Sequence, residues 1–299
     1  MDRRTFIKSV TAGVIGSHFI APEELFAQPR AGSPLLAVAR GEDNAVITRA
    51  AVDVLGGMSK FVSQGDVVVV KPNIGWDRTP EQAANTDPVV VATVVTMALE
   101  AGAKSVKVFD NTCNAPRRCY EQSGIEKAAK GAGADVFFTE ERKFVKTGIG
   151  GKTMKEWPVY RDAIEADKII NVPVAKRHTL ARLTLSMKNL MGLIGGQRNL
   201  LHQNLDESIV DLAAYFRPSL TVLDAVRILT SNGPQGGSLM GVETHHTVVA
   251  STDPVAIDAW GATLFEMTGD ELGFVREGFE RGLGEMDLAK LNIIEKNLS

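Results

Sequence analysis

Apolar and polar positions along this chain alternate between two periods. Residues 34–39 (PLLAVA) and 104–110 (KSVKVFD) read as short strands. Residues 66–71 (DVVVVK) form an unbroken β-branched run, the pattern of a strand buried on both faces. Between these, 43–57 has apolar residues at helical spacing and a glycine stop. Residues 87–103 open with Asp then Pro, a favourable helix start, and end at Gly102. Further on, 118–133 predicts one helix or two, 134–138 a strand, and 143–160 a hairpin turning at Gly148 to Gly151. Residues 162–176 predict a short helix followed by a strand. Residues 208–216 are helical, 219–226 and 242–251 are strands, and 252–267 repeat the Asp-Pro helix opening. Residues 183–194 form an apolar, helix-like run, with an amphipathic helix carrying an exposed Lys-Asn edge as the plainer alternative to a site, and no internal repeat is present.

Strand–helix alternation with β-branched strands predicts an α/β fold. Its sheet is largely parallel and flanked by helices, in one compact domain over 35–295, with or without a smaller inserted subdomain. In such sheets ligands gather beyond the carboxyl ends of the strands. Polar residues close four of the apolar runs: Lys71 and Asn73, Asp110 and Asn111, Lys176 and His178 after Asn171, and Asp224. Parallel strands would bring them to one rim.

Composition narrows the classes. The chain has 299 residues, 44% of them hydrophobic, and a formal net charge of −3. It has no dense Lys/Arg block interleaved with aromatics, which argues against nucleic acid. No apolar run reaches about 18 residues, so no membrane span is expected.

The N-terminus carries Arg3 and Arg4, then Phe6, Ile7 and Lys8, then a mildly apolar stretch to Ala21. It resembles a twin-arginine export signal over 1–27, followed by a linker over 28–34. The plainer alternative is an amphipathic N-terminal helix. The expectation is a periplasmic protein handled by the twin-arginine translocation machinery. Only Cys113 and Cys119 are present. At this spacing they match no zinc or cluster pattern, leaving a disulfide in an oxidising compartment or two inert thiols.

Two Lys-Asn elements carry the candidate chemistry. In VVVVKPN (67–73), Pro72 ends the strand and aims Lys71 into the loop crevice, while Asn73 can donate and accept. Lys71 then serves as a clamp for carboxylate or phosphate, as a base if desolvated, or as a strand-end lysine reaching water. In PVAKRHTLARLTLSMKNLMGLIGG (173–196), Lys188 and Asn189 sit among Leu185, Met187, Leu190, Met191 and Leu193. A lysine there either snorkels outward or points at a partner. Gly192, Gly195 and Gly196 allow close backbone approach.

Other candidates are weaker. Residues 146–153 (KTGIGGKT) lack the first glycine of a phosphate loop, and 131–136 lack the third glycine of a dinucleotide fingerprint. The Gly/Pro-rich stretch 230–241 is a site lid or only a turn. His245 and His246, adjacent on a strand, face opposite sides and do not chelate one ion; no metal site is expected. Asp253 reads as an N-cap.

In this order, VVVVKPN, NVPVAKRH, TLSMKNLMGLIGG, SNGPQGG and ASTDPVAIDAW resemble the family called domain of unknown function 362, over roughly residues 35–290. The resemblance implies no settled activity. It does imply a neighbourhood of ferredoxin-like iron–sulfur domains, beside or fused to family members. This chain has no four-cysteine motif, so no intrinsic iron–sulfur cluster is expected, and its cofactor is unassigned. At the level of fold it also resembles the substrate-binding part of nickel-dependent lactate-racemase-like proteins.

Two functions follow as expectations. In the first, the chain binds, and in an enzyme would transform, a small anionic molecule. Lys71, His178 and Lys188 would do the chemistry. Asn73, Asp110, Lys176, Asn189 and Asp224 would bind or orient. In the second it is a non-catalytic partner or maturation module for a ferredoxin-like or other redox protein. A deep pocket with converging lysines distinguishes the first; a shallow crevice beside an exposed apolar patch distinguishes the second.

Overall fold

A computed structural model describes residues 35–298. The export signal and linker expected at 1–34 lie outside the described residues. In chain order the elements are β1 (Leu35–Arg40), α1 (Asn44–Val54), β2 (Val67–Pro72), α2 (Pro88–Glu100), β3 (Ser105–Val108), α3 (Pro116–Gln122) and α4 (Ile125–Gly131). There follow β4 (Asp135–Val136), β5 (Phe144–Gly148), β6 (Glu156–Tyr160), α5 (Arg161–Glu165), β7 (Lys168–Val172), β8 (Val174–His178), β9 (Arg182–Thr184) and α6 (Ser186–Asn189). The chain closes with α7 (Leu205–Phe216), β10 (Leu220–Leu229), β11 (Val242–Ser251), α8 (Pro254–Thr263), α9 (Gly273–Glu280) and β12 (Asn292–Asn297).

Ten strands form one sheet in the order β12-β1-β11-β10-β7-β2-β3-β4, with β8 beside β10 and β9 beside β8. Only β11 and β9 run against the rest. β5 and β6 pair as a separate hairpin, Phe144 opposite Tyr160. Alternate residues of each central strand feed two cores. Val69, Ile169 and Leu223 face one, packed by α7, α8 and α9. Val68, Val70 and Val222 face the other, packed by α1, α2 and α4. The sheet is therefore covered on both faces, which is why β2 tolerates no polar residue before Lys71.

The aspartates ahead of the helices act as caps. Asp43, Asp87 and Asp253 each accept hydrogen bonds from the first free amides of α1, α2 and α8. Pro88 and Pro254 occupy the first helical positions, where the missing N–H costs nothing.

Two expectations are corrected, and one strand was missed. Residues 183–194 are not one helix but the end of β9, a single α turn at Ser186–Asn189 and a 3-10 turn at Leu190–Leu193. Every residue from 183 to 194 except Lys188 is buried, so the segment has no broad polar face for an amphipathic helix to present. At His245 and His246 the ladder shifts between Ala225 and Arg227, with one extra residue on β11. His246 has a φ of 46°, so simple side-to-side alternation fails there. Finally, β12 pairs in parallel with β1 at the sheet edge; its polar sequence, NIIEKN, hid it.

Candidate functional site

The carboxyl ends of β2, β3 and β8 open onto a crevice of about 710 Å³. Its far wall is the turn α6 with the segment after it. Of the eight candidate site residues, seven line it: Lys71, Asn73, Asp110, Lys176, His178, Lys188 and Asn189, but not Asp224.

The two Lys-Asn elements touch. Lys71 Nζ donates to Asn189 Oδ1 at 3.1 Å and to the Pro72 carbonyl at 2.6 Å, and pairs with Asp110 Oδ1 at 3.0 Å. Asn189 Nδ2 donates to the Lys71 carbonyl at 3.1 Å and to Asn171 Oδ1 at 2.9 Å. Asn73 Nδ2 donates to Asn189 Oδ1 at 3.0 Å. The asparagine is thus a hub that locks the β2 end to α6. Burial pulls the Lys71 amine below its ordinary value, while Asp110 opposes the fall. With three partners and 1% exposure, Lys71 is a structural ion pair rather than the free clamp or base that its position suggested.

Asp110 is equally committed. Its Oδ2 accepts from the Ile74 amide at 2.6 Å, and its own amide donates to the Tyr120 hydroxyl at 2.8 Å. Gly192 packs directly on the pair: a Cβ there would lie 1.7 Å from Asp110 Oδ1. The turn α6 is held from behind by Asp258 of α8, whose oxygens accept from the Ser186 and Met187 amides at 2.6 and 3.0 Å. Burial raises the Asp258 carboxyl to about 8.

Three further groups line the crevice. Lys176 Nζ donates to Asn73 Oδ1 at 2.9 Å and to the Ala84 carbonyl at 2.5 Å. It has no carboxylate partner among the described residues, and burial brings it down to about 7, with Lys188 and Lys71 adding repulsion. His178 Nδ1 accepts from the Leu180 and Ala181 amides at 3.1 and 3.2 Å. Burial, then repulsion from Lys188 and Lys176, hold this ring down to about 3. A neutral ring whose Nδ1 accepts must carry its proton on Nε2, so at neutral pH His178 is a hydrogen-bond donor and not the expected base. Lys188 is half-buried, and among the described residues its Nζ meets only Met191 Sδ, at 3.7 Å. Burial lowers it to about 8, with Arg198 and Lys71 repelling.

Asp224 lies outside the crevice. Its carboxylate accepts from the Asp87 amide at 2.6 Å and the Val226 amide at 2.9 Å, fixing the start of α2 against β10. Burial, then the charge of Asp87, raises it to about 7. Sequence reasoning also missed part of the wall. Arg198 donates to the Asn111 and Thr112 carbonyls at 2.8 and 3.0 Å, tying the loop after β3 to the far wall. Gln197 and His202 line the same side. Their signal was the polar run QRNLLHQN directly after the Gly195–Gly196 pair. Cys113 lines the crevice with a free thiol, and Cys119 is buried and free, burial pushing its thiol up to about 11. Among the described residues no group of three or more His, Cys, Asp or Glu is placed to hold a metal, and no helix is long and apolar enough to cross a membrane.

The sequence profile of the family described as domain of unknown function DUF362 matches residues 68–263. The chain belongs to this family. The DUF362 segment contains every crevice residue named above, from Lys71 to His202, and leaves out β1 and β12 at the sheet edge. A thylakoid-associated protein of Synechocystis sp. is 28% identical over 218 residues, 70% of this chain. The chain spans 66% of that relative's length. Among solved structures, the lactate racemase apoprotein from Thermoanaerobacterium thermosaccharolyticum is similar at 9% identity and a TM-score of 0.41, over 71% of this chain and 53% of that one. A protein from Thermotoga maritima is similar at 12% identity and a TM-score of 0.40, over 81% of this chain and 60% of its own.

Proposed function

We propose that this DUF362 protein binds a small carboxylate or phosphate in the lysine-lined crevice. The observation that carries the reading is Lys188, an amine held on a pinned turn with no oxygen partner among the described residues. Lys71, Lys176, Lys188 and Arg198 stand around a single carboxylate, Asp110, which Lys71 already neutralises. A half-buried cation without a counter-ion is costly, and an incoming anion removes that cost. The His178 Nε2–H offers a neutral donor beside it.

Melting curves with inorganic phosphate and a set of small carboxylates test this. Ligand at a hundred times its Kd stabilises the folded chain by about 2.7 kcal/mol. Lys188→Met should fold normally, since Met fills the apolar stem's space, and should lose the shift. No shift with any of these anions would sink the proposal.

Export belongs to the same proposal. Arg3, Arg4 and the apolar stretch after them support delivery to the periplasm by the twin-arginine route. Replacing both arginines by lysine should leave the protein in the cytoplasm; normal periplasmic accumulation of that variant would remove the claim. A second reading, a partner or maturation module for a redox protein, draws on Leu239 and Met240. They stand 61% and 98% exposed on the loop that also brings Pro234 to the crevice. That reading predicts tight association with a ferredoxin-like protein, weakened by Met240→Ser, in the absence of any small-anion shift.

A further inference from the structure

We propose that Lys188 is a covalent nucleophile: it captures the carbonyl carbon of a small 2-oxo carboxylate as an imine, while the other cations of the crevice hold the carboxylate. This names the ligand class of the crevice and rests on the anion-binding reading above.

The three lysines differ in what their amines are free to do. Lys71 has every donor engaged, to Pro72, Asn189 and Asp110. Lys176 gives two hydrogens to fixed oxygens and is 1% exposed. Lys188 is the accessible one, and its thioether contact at 3.7 Å leaves the nitrogen uncommitted. Position and surrounding charge both favour attack by the amine of Lys188. Its backbone is pinned by Asp258 on one side and by the Asn189 hub on the other, and its head is surrounded by like charge. The titratable and charged groups facing it are Lys71, Lys176 and Arg198, the ring nitrogens of His178 and His202, the Cys113 thiol and Asp110. Cations outnumber the lone carboxylate, so a fraction of Lys188 is the free amine near neutral pH. That is how a lysine becomes nucleophilic without a dedicated base.

The step balances without an external reagent. The Lys188 nitrogen lone pair adds to the carbonyl carbon, and the carbonyl π pair moves to oxygen, where the His178 Nε2–H donates a hydrogen bond. The C–O bond then breaks, and both amine protons leave with the oxygen as water. The carbon–nitrogen double bond remains. Nothing is oxidised or reduced. Arg198 and Lys176 line the same crevice and supply the positive charge that attracts the carboxylate.

Pyruvate with cyanoborohydride is the probe, since hydride fixes the imine as a stable amine. The purified chain should gain the mass of one reductively linked pyruvate, and peptide mapping should place it on Lys188. Labelling should be at least tenfold faster than with acetone, which lacks the carboxylate, and at least tenfold faster than in urea-unfolded protein. Lys188→Arg should abolish the adduct. Lactate, which has the carboxylate but no carbonyl, tests the underlying reading separately by its effect on the melting temperature. A lactate shift without a pyruvate adduct overturns the nucleophile and leaves anion binding standing. An adduct on Lys176, or spread over surface lysines, also overturns it. Neither shift nor adduct overturns both.

Discussion

Replacing Gly192 by alanine probes whether the Lys71–Asp110 pair is the structural centre of the crevice. Gly192 is not in the left-handed region, so alanine meets no backbone strain there. Its Cβ, however, would lie 1.7 Å from Asp110 Oδ1, 2.6 Å from Lys71 Nζ and 2.7 Å from Lys71 Cε. Opening the first contact to at least 3.0 Å requires a shift of about 1.3 Å. Asp110 cannot retreat freely, because Oδ2 is held at 2.6 Å by the Ile74 amide. The turn cannot retreat freely either, because the Gly192 carbonyl accepts from the Asn111 amide at 2.9 Å. Overpacking alone costs about 1–3 kcal/mol. Parting a buried ion pair costs about 3–5 kcal/mol. The expected loss is therefore at least about 3 kcal/mol, a fall in Tm of about 6 °C or more for a domain of this size. Urea titration and calorimetry read it directly. Gly148→Ala is the control: nothing lies within 4 Å of its Cβ, so stability should hold or rise slightly. A loss under about 1 kcal/mol for Gly192→Ala would refute the structural role given to the pair.

Other substitutions separate scaffold from site. Lys71→Met strands a buried Asp110 and should cost about 3–5 kcal/mol, against under about 1 kcal/mol for Lys188→Met; equal costs would contradict the assignment of Lys71 as scaffold. Asp224→Ala leaves the Asp87 and Val226 amides without acceptors and should cost about 1–3 kcal/mol for each, with anion affinity unchanged; lost affinity would bring Asp224 back to the site. Asp258 binds its proton more tightly folded, about 8 against an ordinary 3.8, so the stability it adds is full at low pH and is lost as pH rises through about 8. The difference between wild type and Asp258→Asn should shrink accordingly across that window; a difference that grows would reverse the argument. Anion binding needs protonated Lys176 and Lys188, near 7 and 8, so affinity should fall between pH 6 and 9, as calorimetry would show. A flat profile would take both lysines out of the contact.

Most of the sheet was legible because its strands are continuous apolar runs and its helices announce themselves with Asp-Pro starts. The edge strand β12 was not, since an edge position permits alternating charge that looks like a loop. The 183–194 segment misled for a different reason. Helical spacing of apolar residues implies a polar face, and here all but Lys188 is buried, so periodicity had little to distinguish. The rim rule brought Lys71, Lys176 and His178 together, and the second Lys-Asn element added Lys188. It did not reveal how each is used. That depends on partners far away in sequence, such as Asp258 behind the turn and Gly192 over the ion pair. Asp224 closes an apolar run just as Lys71 does. Yet β10 continues past it to Leu229, so that carboxylate faces the start of α2 instead of the rim.

β1 sits in the sheet between β11 and β12 and, among the described strands, pairs with these two. A chain emerging from the ribosome therefore carries its first strand unpaired until residues 242–251 have been made, and completes it only with residues 292–297. Asp258, which pins the crevice turn, arrives in the same late interval. Closing the crevice therefore waits on pairings between residues distant in sequence, the kind of contact that slows folding. Removing β12 would therefore expose the edge of β1 to other strands, making loss of residues 292–297 a route to aggregation rather than to a smaller working domain.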